Sequence, residues 1–332
     1  MTTLDAYLET ARGADAAGVA AVVRAIAAAG VKIADELARA ALIGQLGTTG
    51  DTNVQGEKVK KLDIWANDVV VAALDATGRA CTLVSEEMQE IRHRPEHCAG
   101  AGFVVCFDPV DGSSNLDVNG IVGTIFSVLK KRGTEPDHAR ADVLQRGTTQ
   151  VAAGYIMYGP STLLVTTIGD GVHGFTLDRA TAAWVRTHAN LRMPARGRVY
   201  SINDGNFVRW PDGVRRFVEY VREVDVPTGR PYTARYAGSL VTDVHRTLLE
   251  GGIFLYPEDA AGTGRQNTGK LRLMYECSPM GMIIEQAGGA ASTGRGRILD
   301  LVPTGPHQRV PLVIGSAEDV RLAEEFYADR RA

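Results

Sequence analysis

The residues best suited to chemistry lie in the string Phe107-Asp-Pro-Val-Asp-Gly-Ser-Ser-Asn115. An apolar run delivers the chain to two carboxylates, Asp108 and Asp111, three residues apart. Pro109 has no N–H to give and cannot continue a helix. The turn can therefore aim both carboxylates and the Val110 carbonyl at one point. Hard cations such as Mg²⁺ take oxygen ligands of this kind, completed by water and phosphate. Gly112, Ser113 and Ser114 follow with successive backbone N–H groups, which suit an anion. Asp-Pro and Asp-Gly are also ordinary turn dipeptides. The full string behind an apolar run favours a metal and phosphate site over a plain turn.

Further acids lie in comparable places. Glu86 and Glu87 follow the short apolar segment Cys81–Ser85. Paired glutamates are usually solvated, but at the ends of neighbouring strands they would share a crevice. Carboxylates crowded there raise one another's pKa, a penalty that a divalent cation removes. Asp63 in Lys60-Lys-Leu-Asp63 is one more acid, equally readable as a helix-start aspartate. Far along the chain, Gly269-Lys-Leu-Arg-Leu-Met-Tyr-Glu-Cys-Ser-Pro-Met280 alternates Lys270 and Arg272 with leucines and places Glu276 at an expected helix start. Read alone, that segment is as well explained by a half-buried strand with solvated cations.

These groups need elements to position them. Residues 14–43 read as helix, with a break expected near Gly30, and 64–77 as a second helical region. Between them, the stretch 47–56 is glycine-rich and polar, as loops are. Strands are expected at Cys81–Ser85, Phe103–Phe107, Thr124–Leu129, Val151–Met157 and Leu163–Ile168, with a polar connecting loop over 131–148. A boundary falls near Leu191–Arg198. Beyond it, strands are expected at 199–202, 253–256 and 310–314. Helices are expected at 213–223, 239–249, 275–287 and 317–330, the last capped by Ser316. Strands and helices intermingle, so the class is α/β or α+β.

The chain has 332 residues, 45% of them hydrophobic, and a formal net charge of -3. That length suggests two domains or one large one, and the charge balance gives no sign of a nucleic-acid partner. The four cysteines, Cys81, Cys98, Cys106 and Cys277, match no zinc or redox spacing. Cys81 and Cys106 lie in strand-like runs, so buried free thiols in a reducing cytoplasm are the expectation. Asp15, Arg24, Lys32, Asp35, Glu36 and Arg39 break up the alanine-rich run 14–43, which argues against a membrane span. The acidic N-terminus lacks the apolar core of a signal peptide.

From about residue 50 onward the sequence closely resembles the class I fructose-1,6-bisphosphatases. The strings that carry the likeness include Lys60–Asp63, Val84-Ser-Glu-Glu87, Phe107–Asn115, Val122-Gly-Thr-Ile-Phe126, Ala234-Arg-Tyr-Ala-Gly-Ser239, Gly251–Pro257 and Gly269–Met280. The Asp-Pro-x-Asp-Gly-Ser core is shared with inositol monophosphatases; Lys270-Leu-Arg-Leu-Met-Tyr-Glu276 is much more specific. The resemblance implies a layered αβαβα sandwich of two domains. Residues 1–191 would form an allosteric-type domain with most metal ligands, and 192–332 a substrate-binding domain. It implies Mg²⁺, replaceable by Mn²⁺, held by Glu86, Glu87, Asp108, the Val110 carbonyl, Asp111 and Glu276. Asp63 and Glu87 would activate the attacking water. Asp111, Gly112, Ser113 and Ser114 would cradle the 1-phosphate. Asn203, Tyr236, Tyr256 and Lys270 would hold the sugar and its 6-phosphate, and Arg235 would reach that phosphate from a neighbouring subunit of a homotetramer. Glu57 stands where some relatives carry Asp.

The implied reaction is hydrolysis of the 1-phosphate of fructose 1,6-bisphosphate, in gluconeogenesis or carbon fixation. Dual action on sedoheptulose 1,7-bisphosphate is the alternative of the same chemistry. A non-catalytic sugar-phosphate sensor is disfavoured because every acid is present. Lys270 and the Arg235-Tyr236 pair disfavour an inositol phosphatase. One departure concerns control. Relatives inhibited by AMP carry hydroxyl residues, a Lys-Tyr pair and an arginine where this chain has Ala17, Ala21, Gly102, Phe103 and Lys130. Weak or absent AMP inhibition by that route is expected.

Overall fold

The structure, a computed structural model, describes residues 2–52, 58–98, 102–133, 138–260 and 269–330. Glu57 and the end of the 47–56 stretch, 53–56, lie outside the described residues. The first part of the chain contains α1 (Leu4–Leu8), α2 (Ala16–Leu37), the ribbon β1 (Thr48–Thr52) and β2 (Lys58–Lys60), and α3 (Lys61–Asp75). Then come β3 (Ala80–Ser85), β4 (Arg92–His93), β5 (Phe103–Asp111), β6 (Val122–Lys130), α4 (Ala139–Val143), β7 (Gln150–Tyr158), β8 (Thr162–Thr167), β9 (His173–Asp178) and β10 (Ala183–His188). The remainder holds β11 (Val199–Ser201), α5 (Asp212–Arg222), β12 (Thr233–Ala234), α6 (Leu240–Glu250), β13 (Ile253–Tyr256) and β14 (Leu271–Arg272). It ends with α7 (Ser278–Gln286), β15 (Ala290–Ser292), β16 (Arg309–Val310), β17 (Leu312–Gly315) and α8 (Ala317–Tyr327).

An eight-stranded sheet runs in the order β10-β9-β8-β7-β6-β5-β3-β4, and a five-stranded sheet in the order β12-β11-β13-β17-β15. In the larger sheet β3 and β5 are parallel while the other pairs are antiparallel. Side chains alternate faces along a strand. Phe103, Val105 and Phe107 of β5 accordingly meet Val22, Val23 and Ile26 of α2 and Leu62 and Val70 of α3. Ile125, Tyr155 and Val165 face the other way, against Val241 and Val244 of α6, Met280 and Ile283 of α7, and Phe254 and Ile314 of the smaller sheet. That sheet's far face, with Leu255 and Val313, packs on Phe217 of α5 and Phe326 of α8. The layers therefore read αβαβα, as expected.

Several local expectations change. α2 runs unbroken through Gly30, where a Cβ would sit 2.3 Å from Ile156 Cδ1. The glycine serves close helix-to-sheet approach and does not end the helix. By length and composition α2 could cross a membrane, yet its apolar face is buried on the sheet. The 131–148 connector contains the short helix α4. Ser316 does not cap α8 with its side chain. Its hydroxyl donates to the Pro194 carbonyl and accepts from the Gly252 N–H, 2.7 and 3.0 Å away.

Cys81 is not a free thiol. It is disulfide-bonded to Cys98, while Cys106 and Cys277 are free and buried. β4 folds back antiparallel on β3, pairing His93 with Thr82. This brings residues 92–98 alongside β3, so a spacing of 17 residues closes where no short motif signals it.

A buried acidic cleft

The parallel pairing of β3 with β5 sets the register of the acids. Ser85 lies opposite Phe107, and the Glu86 N–H donates to the Phe107 carbonyl at 3.2 Å. Glu86 and Asp108 thus leave adjacent strands at the same edge. On β5, Asp108 shares a face with Val104 and Cys106, which pack on Met274 and Tyr275. That packing carries Glu276 to the same place. Glu276 lies in a π-helical turn, Leu273–Cys277, that precedes α7 in place of the ordinary helix start expected there. Single π-turns concentrate at functional sites because they re-aim a side chain.

Asp108, Asp111 and Glu276 are all buried, and each brings a carboxylate oxygen within 4.8 Å of the others. Asp108 Oδ1 accepts from the Val110 N–H at 2.9 Å, which closes the turn. Asp111 reaches across to the start of α6. It accepts from Ser239 Oγ at 2.8 Å and from the N–H groups of Leu240 and Val241 at 3.2 and 2.8 Å. Gly112 has φ 75, and a Cβ there would lie 2.7 Å from Ser239 Cβ. Only glycine allows both this left-handed turn and so close a neighbour. Asp63, in the first turn of α3, accepts from the Lys60 N–H through Oδ2 at 3.1 Å. Its Oδ1 is buried with no hydrogen-bond partner among the described residues.

Burial dominates the electrostatics. It pushes Asp63 up to about 7, helped by the charge of Glu86. It raises Asp108 well above the carboxylate range, with Glu86, Asp111 and Glu276 adding repulsion. Asp111 is pushed up to about 6, the α6 N–H groups and Ser239 holding it down. Glu276 rises to about 8, moderated first by Arg272. Arg272 is itself buried, with Nη2 2.7 Å from Glu86 Oε1 and Nη1 3.8 Å from Glu276 Oε2. An orphaned buried oxygen and three converging carboxylates fit a hard divalent cation.

The cleft has a volume of about 800 Å³. Its lining includes Asp63, Glu86, Glu87, Asp108, Val110, Asp111, Gly112, Ser113, Ser114 and Glu276, together with Asn203, Tyr236, Tyr256 and Lys270. Arg235 is not among the lining residues; it is exposed, its Nη1 donating to the Ala234 carbonyl at 2.9 Å. Ser239, Asp243 and Arg272 have roles that the sequence reading did not assign. Buried Asp243 accepts from Ser201 Oγ and from the N–H groups of Ala237 and Gly238, which fixes the turn beside Gly112. Ser239 could have been read as a cap of α6, but nothing local announces a bond to an acid 128 residues away.

Comparison with known proteins agrees with this geometry. The family model "Fructose-1-6-bisphosphatase, N-terminal domain" matches residues 4–189, and "Fructose-1-6-bisphosphatase, C-terminal domain" matches 193–328. A class 1 fructose-1,6-bisphosphatase of Synechocystis sp. is 47% identical over 320 residues, covering 96% of this chain and 90% of that protein. One from Chlorobium chlorochromatii is 50% identical over 297 residues, covering 89% and 88%. The crystal structure of Leishmania major fructose-1,6-bisphosphatase in holo form superposes with a TM-score of 0.91 at 38% identity, covering 98% of this chain and 99% of that one.

Proposed function

The chain belongs to the class 1 fructose-1,6-bisphosphatase family and is a phosphatase, and from that premise we propose that it removes the 1-phosphate of fructose 1,6-bisphosphate in a Mg²⁺-dependent reaction. The observation that carries this reading is the meeting of Asp108, Asp111 and Glu276 within 4.8 Å of one another, in a cleft that Lys270 also lines.

In this reading Glu86, Glu87, Asp108, the Val110 carbonyl, Asp111 and Glu276 hold Mg²⁺, with Mn²⁺ as a substitute. The cation supplies Lewis acidity toward the phosphate and the attacking water. Gly112, Ser113 and Ser114 orient the 1-phosphate through their N–H groups. Asp63 Oδ1, buried and without a hydrogen-bond partner among the described residues, takes the proton of the attacking water, with Glu87 of the same cleft as a second carboxylate for that role. Asn203, Tyr236, Tyr256 and Lys270 hold the sugar and the phosphate that is not cleaved.

The exposure of Arg235 outside its own cleft supports its acting on the 6-phosphate of a neighbouring subunit, in a homotetramer. We divide the chain into residues 1–191, with most of the metal ligands, and 192–332, with most of the sugar contacts. A charged sugar bisphosphate does not cross membranes unaided, so a cytoplasmic enzyme of gluconeogenesis or carbon fixation fits.

The test is phosphate release from fructose 1,6-bisphosphate, sedoheptulose 1,7-bisphosphate, fructose 6-phosphate and inositol 1-phosphate, each with Mg²⁺ and with EDTA. Fast release from fructose 1,6-bisphosphate with Mg²⁺ alone is expected. Equal turnover of the monophosphates, or turnover in EDTA, refutes the reading. Comparable rates on the two bisphosphates would establish dual specificity.

A further inference from the structure

The Cys81–Cys98 disulfide closes the segment that carries Glu86 and Glu87. Cys81 lies within β3, five residues before Glu86, and is fully buried. Cys98 lies just past a single helical turn, Pro95–His97, and is half-buried. Between the two sulfurs the chain leaves β3, presents both acids to the cleft and returns as β4. The return is held by the Thr82–His93 pairing, by an Arg94 N–H to Cys81 carbonyl bond of 2.7 Å, and by Arg92 and Arg94 on Asp75. The disulfide is the one covalent tie in this set.

His93 stands beside the bond, with Nε2 3.9 Å from Cys98 Sγ and Nδ1 3.0 Å from Thr82 Oγ1. Cys81, His93 and Cys98 are clustered closely enough to hold a soft cation, but sulfurs bonded to each other have no thiolate to give. What the arrangement does offer is a disulfide, with one partly exposed sulfur and an imidazole beside it, that thiol–disulfide exchange can reach.

We propose that Cys81 and Cys98 form a reversible disulfide whose redox state sets how firmly the Glu86–Glu87 segment is held, and with it the divalent-cation requirement of the cleft. The inference rests on the cation-binding role of those glutamates given above. A dithiol reductant attacks the more exposed sulfur, Cys98 Sγ. The Cys81 sulfur leaves with the electron pair and takes a proton. The reductant's second thiol then displaces Cys98 and departs as a cyclic disulfide, so two electrons and two protons are transferred. A small-molecule disulfide such as oxidised glutathione reverses the step. The bridged form keeps both ends of the segment against β3. Reduction frees the Cys98 end and weakens the hold on a cation.

The test uses the full chain in oxidised and dithiothreitol-reduced states. Thiols are titrated in denaturant, and Mn²⁺ binding is measured by electron paramagnetic resonance without substrate. Oxidised protein should show two thiols, those of Cys106 and Cys277, and reduced protein all four. The Mn²⁺ dissociation constant and the half-saturating Mg²⁺ should rise about fivefold on reduction, the low end of ordinary coupling between sites. Cys98→Ser should match reduced wild type and ignore dithiothreitol. Four titratable thiols after incubation with oxidised glutathione, or equal Mn²⁺ affinity in both states, would overturn the proposal. A chain without phosphatase activity whose Mn²⁺ affinity still shifts would sink the functional reading and leave this one standing.

Discussion

A buried carboxylate beside three others is costly unless something opposes its charge, and here Arg272 does so. Its guanidinium reaches Glu86 and Glu276, two proposed cation ligands, and so shares the role of the cation. Breaking a buried pair from one side leaves an uncompensated charge and costs about 3–5 kcal/mol. Arg272→Met should therefore lower unfolding stability by about that much in EDTA, with partial recovery in Mg²⁺, measured by urea denaturation. An equal loss in both buffers would refute the shared role. Asp111→Asn tests the opposite case. The variant relieves repulsion and keeps one oxygen for Ser239 Oγ and the Val241 N–H, giving up only the longer bond from the Leu240 N–H. Turnover should fall about 100-fold or more, while the melting temperature in EDTA stays equal or rises. Near-normal turnover would remove Asp111 from the site.

At the scale of elements, the expectation of weak or absent AMP inhibition rests on α2 and β5. Lys130 pairs with Asp15 at the start of α2, at 2.5 Å. The Phe103 ring packs so near Gly18 that a Cβ there would lie 2.5 Å from Cε2. Ala17 and Ala21 themselves bring no hydroxyl to this surface. AMP up to about 1 mM, a weak-binding limit, should leave activity at saturating Mg²⁺ unchanged. Inhibition in the micromolar range would show that these substitutions do not disable the route. The apolar strands and the Asp108–Ser114 turn were legible in the sequence because period-2 patterning and turn chemistry are local signals. β9 and β10 were not, since His173–Asp178 and Ala183–His188 mix polar and apolar residues at the edge of the sheet. The π-turn at Glu276, the Ser239–Asp111 bond and the Cys81–Cys98 bridge were hidden for a different reason. Each depends on which distant segments the topology brings together.

For the molecule as a whole, the cleft couples folding to protons and cations. Its acids come from both ends of the chain: Asp63, Glu86, Asp108 and Asp111 from around the larger sheet, and Glu276 from the turn before α7. Free carboxylates titrate near pH 4. Burial raises Asp111 to about 6, Asp63 to about 7 and Glu276 to about 8. Between those limits the folded, cation-free protein binds more protons than the unfolded chain. Stability from these groups is therefore full below about pH 4 and is lost as pH rises through their folded values. A cation requires the ionised acids, so binding expels protons and strengthens with pH. By linkage, the stabilisation it gives grows across the same window. The gap in melting temperature between Mg²⁺ and EDTA should widen from pH 5.5 to pH 8, as half-saturating Mg²⁺ falls by up to about tenfold per pH unit for each proton released. A gap that stays constant or narrows over that range would mean that Asp111 and Glu276 are not among the groups that meet the cation.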